Sequence, residues 1–258
     1  MNKSPRNRPK RGNRQHSADA AEGPLWLWGL HAVQAALDNP RRQVHRLVAS
    51  ENAAKRLSLG TARPDIVNVS EIGRLLPSGA VHQGAALYTD PLEAESLDDV
   101  LSNRPERIAV LDQLADPHNL GAIFRSAAAF GVGAVILQTR HSPPLTGTVA
   151  KSAVGAVERV REVRVVNIAR AVESLADAGF LTIGLAGGAE ADLATLAEPG
   201  QPLAIVMGAE GKGLRPAVAS ACQFLAQIPM SGDMESLNVS NAAAIAFYLA
   251  ARGAFSPD

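Results

Sequence analysis

The stretch RIAVLDQLADPHNLGAIFRSAAAFGVGAVIL, residues 107–137, decides the fold. Ile108 to Leu111 is an apolar run of strand length, too short for a helix. Leu120, Ile123, Phe124 and Ala127 then recur at i, i+3, i+4 and i+7, which predicts a helix over Leu120 to Phe130. Gly131-Val132-Gly133 breaks it, and Ala134 to Leu137 is a second apolar strand. Strands apolar throughout, joined by a helix, predict a parallel sheet covered on both faces. The rhythm continues through Val163 to Val166, Leu181 to Leu185, Leu203 to Met207 and Phe224 to Ile228, with helical patterns between most of them. It closes on the helix Ala242 to Ala251. That helix is apolar on nearly every side and must be buried, with a dimer interface as one possible cover.

Upstream lies a smaller α/β unit over residues 24–90. Helices are expected at His31 to Leu37, Asn52 to Leu57 and Glu71 to Leu76, and strands at Val44 to Ala49, Ile66 to Val69 and Ala85 to Tyr88. An acidic segment over 91–106, bounded by Asp90-Pro91 and Arg104-Pro105, reads as a linker to the larger unit, 107–258. Residues 1–23 lack apolar periodicity and are expected to be disordered. Met1 to His16 carries six basic residues, Lys3, Arg6, Arg8, Lys10, Arg11 and Arg14, and no acidic one. Such an arm seeks polyanions or simply aids solubility.

Composition narrows the class. At 258 residues and 47% hydrophobic, the chain has ample material for a core, built on aliphatics because aromatics are only 4%. No apolar run approaches the roughly 20 residues of a membrane-spanning helix, and no secretory signal follows the basic N-terminus. One cysteine, Cys222, builds neither an intrachain disulfide nor a cysteine zinc cluster. A cytoplasmic protein is the simplest expectation. Cys222 itself reads as a small core residue, and Trp26 and Trp28 as packing groups before base-stacking ones.

Polar and glycine-rich residues concentrate after strands, where such sheets bind ligands. In the first cluster, Asp112 to Arg125, Asn119 is suited to capping the helix and Arg125 falls off its apolar stripe. A capped helix with a solvated arginine is the plain alternative. The second, Met207-Gly208-Ala209-Glu210-Gly211-Lys212-Gly213-Leu214, holds three glycines in six residues. It is neither a P-loop nor a dinucleotide fingerprint. Glu210 within it suits a cationic or hydroxyl-bearing ligand better than a phosphate. In the third, Ile228 to Asn241, Ile228 and Leu237 bracket a polar loop and are placed to sandwich a flat ring. Asn238, Ser240 and Asn241 suit helix capping.

These three clusters, in this order, resemble the three motifs of the SpoU/TrmH family of RNA ribose 2′-O-methyltransferases. The matching pieces are NLGAIFRSA (119–127), VMGAEGKGL (206–214) and IPMSGDMESLNVSNAAAI (228–245). Residues 27–90, opening LWGLHAV, resemble that family's ribosomal-protein-like RNA-binding domain, and the two-domain form is most similar to the branch that methylates a guanosine of 23S ribosomal RNA. The resemblance implies a SPOUT-type sheet with a C-terminal trefoil knot, a homodimer, S-adenosylmethionine as cofactor and RNA as partner. It implies cofactor contacts at Gly208, Ile228, Leu237, Met230 and Ser240, and places Arg125, Asn119, Glu210 and Asn238 in the catalytic set. Arg125 acts on the hydroxyl, with Asn119 supporting it. Arginine stays protonated, so Arg125 is expected to bind the ribose and a neighbouring phosphate rather than act as a free base. Lys151, in a segment the family uses on the substrate side, is available for phosphate. No metal is implied. A transfer RNA substrate, or a non-catalytic ribosome-assembly factor on the same fold, stays open, whereas a dinucleotide oxidoreductase lacks its fingerprint.

Overall fold

A computed structural model describes residues 23–198, 200–231 and 236–252. The tail expected over 1–23 lies, except for Gly23, outside the described residues.

The N-terminal unit is a four-stranded sheet of β1 (Leu25–Trp28), β2 (Val44–Ala49), β3 (Asp65–Ile66) and β4 (Ala85–Thr89), in the order β1-β4-β2-β3. β4 runs antiparallel to β1 and β2, and β3 is parallel to β2. Gly29, at φ 91, turns the chain from β1 into α1 (Leu30–Asp38), which buries Val33 and Ala36. α2 (Glu51–Ala54) starts at Ser50, whose side chain accepts from the Ala53 N–H, and ends short of the expected Leu57. α3 (Val69–Leu75) starts after Asn68, so Val69 opens a helix instead of closing a strand. Ile66 and Val69 are both exposed, and of this segment only Val67 packs against a buried cluster.

The segment 91–106 is more than a connector. It carries α4 (Leu97–Asn103), where Ser96 Oγ accepts from the Asp99 N–H at 3.1 Å and Val100 is fully buried. The cap sequence Ser96-x-x-Asp99 was the available signal, masked by the acidic composition.

The larger sheet has seven parallel strands, β5 (Arg107–Leu111), β6 (Ala134–Gln138), β7 (Arg161–Val165), β8 (Leu181–Leu185), β9 (Ala191–Asp192), β10 (Leu203–Met207) and β11 (Phe224–Gln227). Their order is β7-β6-β5-β10-β8-β11-β9. Alternate residues feed two cores, as the pleat requires. Ala109, Leu111, Val135, Leu137, Ile205 and Met207 face α5 (Pro117–Ala129), α6 (Gly147–Ala153), α8 (Leu193–Leu196) and α10 (Val239–Ala250). Ile108, Val110, Ala134, Ile136, Ala204 and Val206 face α4, α7 (Ile168–Asp177) and α9 (Pro216–Ala221).

The two units share the first of these cores. A Cβ at Gly147 would collide with the Trp28 ring and the Trp26 carbonyl, so a glycine lets α6 lie against β1. Trp28 is buried there, and Trp26 packs on Tyr88 with ring centroids 5.1 Å apart. Arg42 and Glu158 form an ion pair across the junction with both side chains only 3% exposed.

Candidate functional site

α5 begins earlier than its apolar stripe. Pro117 occupies its first turn and Asp116, not Asn119, caps it by accepting from the His118 N–H at 2.9 Å. Asn119 therefore lies inside the helix, buried, with its carboxamide free for other work. It uses both ends. Asn119 Nδ2 donates to Glu210 Oε2 at 3.4 Å, and its Oδ1 accepts from Asn238 Nδ2 at 3.1 Å. Asn238 caps α10, its Oδ1 accepting from the Ser240 N–H at 2.9 Å and from Ser240 Oγ at 2.6 Å. Ser240, Asn238, Asn119 and Glu210 thus form one directional chain of hydrogen bonds linking the three polar clusters.

Beside this chain a cleft of about 460 Å³ opens at the carboxyl ends of β8, β10 and β11. That is the size of a small-molecule site and the place where parallel sheets bind ligands. Gly208, Glu210, Ile228, Met230 and Leu237 line it. Its remaining wall includes Leu185 to Gly187, which lie outside the three polar clusters. Ser240, expected to contact the cofactor, is not in the lining and instead bonds Asn238.

Two features shape the glycine loop. A Cβ at Gly208 would collide with the backbone of Gly213 and Leu214, and the Gly213 N–H donates to the Ala209 carbonyl at 2.9 Å. The loop is therefore folded tightly on itself. Its exit is anchored by Arg215, whose Nε lies 2.9 and 3.1 Å from the two oxygens of the buried Asp112 carboxylate, while the Arg215 N–H donates to the same group at 3.2 Å. Hydrogen bonding to Asp112 raises the Arg215 pKa above its ordinary value. Sequence reading missed this pair, because nothing local connects residues so far apart.

Arg125 does not join the cleft. It is exposed on α5, six residues beyond Asn119 and about 9 Å further along the axis. Lys151 is half-buried and its Nζ donates to Gln83 Oε1 at 2.7 Å; burial lowers its pKa. Cys222 is half-buried, its thiol donating to the Val218 carbonyl, and burial pushes it up to about 11. It is a packing residue, not an activated nucleophile. Among the described residues no group of three His, Cys, Asp or Glu side chains is placed to hold a metal, and no helix is long and apolar enough to cross a membrane.

The cleft, its lining and the sheet define a ligand-binding α/β protein with an appended mixed-sheet unit. Residues 106–248 match the SpoU rRNA methylase family, and residues 26–95 match the substrate-binding domain of RNA 2′-O ribose methyltransferases. The chain belongs to the SpoU rRNA methylase family. Over 237 residues it is 40% identical to the 23S rRNA (guanosine-2′-O-)-methyltransferase RlmB of Vibrio cholerae, covering 88% of this chain and 96% of that one. A solved rRNA methyltransferase from Sinorhizobium meliloti superposes with a TM-score of 0.75 at 26% identity, over 90% of this chain and 88% of its own. The SpoU methyltransferase AviRb of Streptomyces viridochromogenes, solved in complex with AdoMet, shares the fold at 23% identity with a TM-score of 0.75, over 89% and 90% of the two chains.

Proposed function

We propose that this chain transfers a methyl group from S-adenosylmethionine to the ribose 2′-hydroxyl of a guanosine in 23S ribosomal RNA. The observation that carries this is the hydrogen-bonded chain Ser240-Asn238-Asn119-Glu210 beside a cleft of cofactor size, in a chain that aligns almost end to end with an enzyme of that activity.

The cleft fits the cofactor chemically. Leu185, Ile228 and Leu237 offer apolar faces for a flat ring, the glycine loop offers backbone groups, and Glu210 supplies a carboxylate for a cation. When bound, S-adenosylmethionine supplies an electrophilic methyl group on a sulfonium. The protein's own tasks are to orient a weak nucleophile and release its proton. Asn119, held at both ends, fixes the position of Glu210. Arg125, always protonated, grips the ribose and an adjacent phosphate, and that phosphate takes the hydroxyl proton.

Arg125 and the cleft are apart within one chain, and a homodimer resolves this by bringing Arg125 of a second copy to the cleft. Supporting it, α10 leaves Ile245 and Tyr248 exposed beside Phe130, an apolar face next to the helix that carries Arg125. We further read the C-terminal segment as knotted. In support, the turns after β8, β10 and β11 crowd one cleft while α10 packs back against α5. The unit before residue 90 binds RNA, the basic arm over 1–23 adds polyanion contacts, and the reaction takes place in the cytoplasm with the ribosomal RNA.

The test is methyl transfer to 23S rRNA transcripts together with calorimetry of cofactor binding. Arg125→Ala is expected to abolish transfer while leaving cofactor affinity within about twofold, since its partners are the ribose and phosphate of the RNA rather than the cofactor. Retained turnover in that variant rejects the assignment, and a folded wild type with no affinity for S-adenosylmethionine rejects the function.

A further inference from the structure

A second cleft, of about 270 Å³, lies between the two units. One wall is α1, with His31, Gln34 and Asp38; the other carries Arg125 from α5 and Arg159 from the turn after α6. Both arginines are exposed, and neither forms an ion pair among the described residues. The carboxylate next to Arg159 in sequence, Glu158, is already occupied by Arg42 and by Asn39 Nδ2 at 2.7 Å. Asp38 is held on the opposite wall, where Gln34 Nε2 donates to its Oδ1 at 2.8 Å and Gln34 Oε1 accepts from the Ser58 N–H at 2.8 Å.

The cleft is therefore polar and asymmetric, with two guanidiniums facing one fixed carboxylate. Planar guanidiniums suit phosphate oxygens, and a carboxylate repels them. A strand entering here keeps its phosphates on the α5 wall. Every internal ribose is flanked by two phosphodiesters, so one arginine at the sugar leaves work for a second beside it.

We propose that Arg159 binds the RNA phosphodiester next to the target ribose, which makes this cleft the path by which the strand passes Arg125. The proposal rests on Arg125 acting at the ribose. It also gives the junction of the two units a role, since inter-unit clefts are favoured binding places.

The test compares the full chain with Arg159→Ala and Arg159→Lys. One arm measures methyl transfer to a 23S rRNA transcript, and the other measures binding of the same RNA over a KCl series without cofactor. Arg159→Ala is expected to raise KM for RNA about tenfold with kcat within about twofold. The slope of log affinity against log salt should become shallower by about 0.7–0.9, the signature of one lost phosphate contact. Arg159→Lys keeps the wild-type slope, because the charge stays. Thermal melting and cofactor affinity should not move in either variant. An Arg159→Ala enzyme with unchanged KM and salt slope, or a loss confined to kcat, overturns the proposal. If the wild type binds RNA but transfers no methyl, the Arg125 assignment fails, and the KCl series still decides the case of Arg159.

Discussion

Gly208 shows how one residue sets the shape of the proposed cofactor cleft. Its φ is ordinary, so conformational freedom is not the reason for a glycine. The reason is space, because the loop's own backbone at Gly213 and Leu214 occupies the volume of a Cβ. Backbone cannot rotate aside as a long side chain can, so Gly208→Ala must open the loop. Overpacking of this kind costs about 1–3 kcal/mol, and here the cost falls on the ligand-bound shape. We expect Gly208→Ala to weaken S-adenosylmethionine binding by tenfold or more by calorimetry, with the melting temperature lowered by only a few degrees. Affinity equal to wild type would show that the folded-back loop does not form the binding shape. Asn119 carries a related lesson. Its residue type fits a helix cap, and capping was expected of it; Asp116, three residues earlier in the chain, takes that role, which leaves the carboxamide for Glu210 and Asn238.

Elements were legible where their hydrophobic period was strong. Six of the seven strands of the large sheet lie close to their expected ends, because predominantly apolar runs have no other place than a two-sided core; the two-residue β9 was not expected. The failures came where composition and tertiary contact disagreed. α4 lies in an acidic stretch yet buries Val100, and β3 shrank because Ile66 and Val69 have no core to join. The site divided in the same way. Turns with odd residue types were visible, whereas the Asp112–Arg215 anchor and the directional chain through Asn119 needed the fold to bring distant residues together. α10 poses the remaining question at this scale. Val239, Ala243, Ala246, Phe247 and Ala250 face the core, while Ile245 and Tyr248 face outward, with Tyr248 56% exposed. Tyr248→Glu places a charge on that outward face without touching the core. For the proposed dimer, sedimentation should show conversion to monomer, with methyl transfer lost because Arg125 would no longer meet a second copy's cleft. A dimeric, active Tyr248→Glu enzyme would move the interface elsewhere.

At the scale of the whole molecule, the two units are joined by charge as well as by packing. Arg42 leaves the N-terminal unit before β2 and meets Glu158 at the turn after α6. Arg42 Nη1 also donates to the Asp90 carbonyl at 2.7 Å, and Asn39 shares the Glu158 carboxylate. Every polar atom of this junction is thereby matched, which is the condition under which a buried pair is tolerated. Such a pair adds little net stability over an apolar substitute, but removing one partner strands the other charge in the interior. Arg42→Ala should therefore lower unfolding free energy by about 3–5 kcal/mol in chemical denaturation. The double variant Arg42→Met with Glu158→Leu should recover most of that loss, since neither charge is then left unpaired. The functional consequence follows from geometry. The cleft holding Arg125 and Arg159 has α1 as its far wall, so loosening the junction lets that wall drift. In Arg42→Ala the affinity for RNA should fall while the affinity for S-adenosylmethionine, whose proposed cleft is lined only by the large-sheet unit, stays near wild type. A parallel loss of both would mean that the junction supports the catalytic unit itself rather than the placement of one unit on the other.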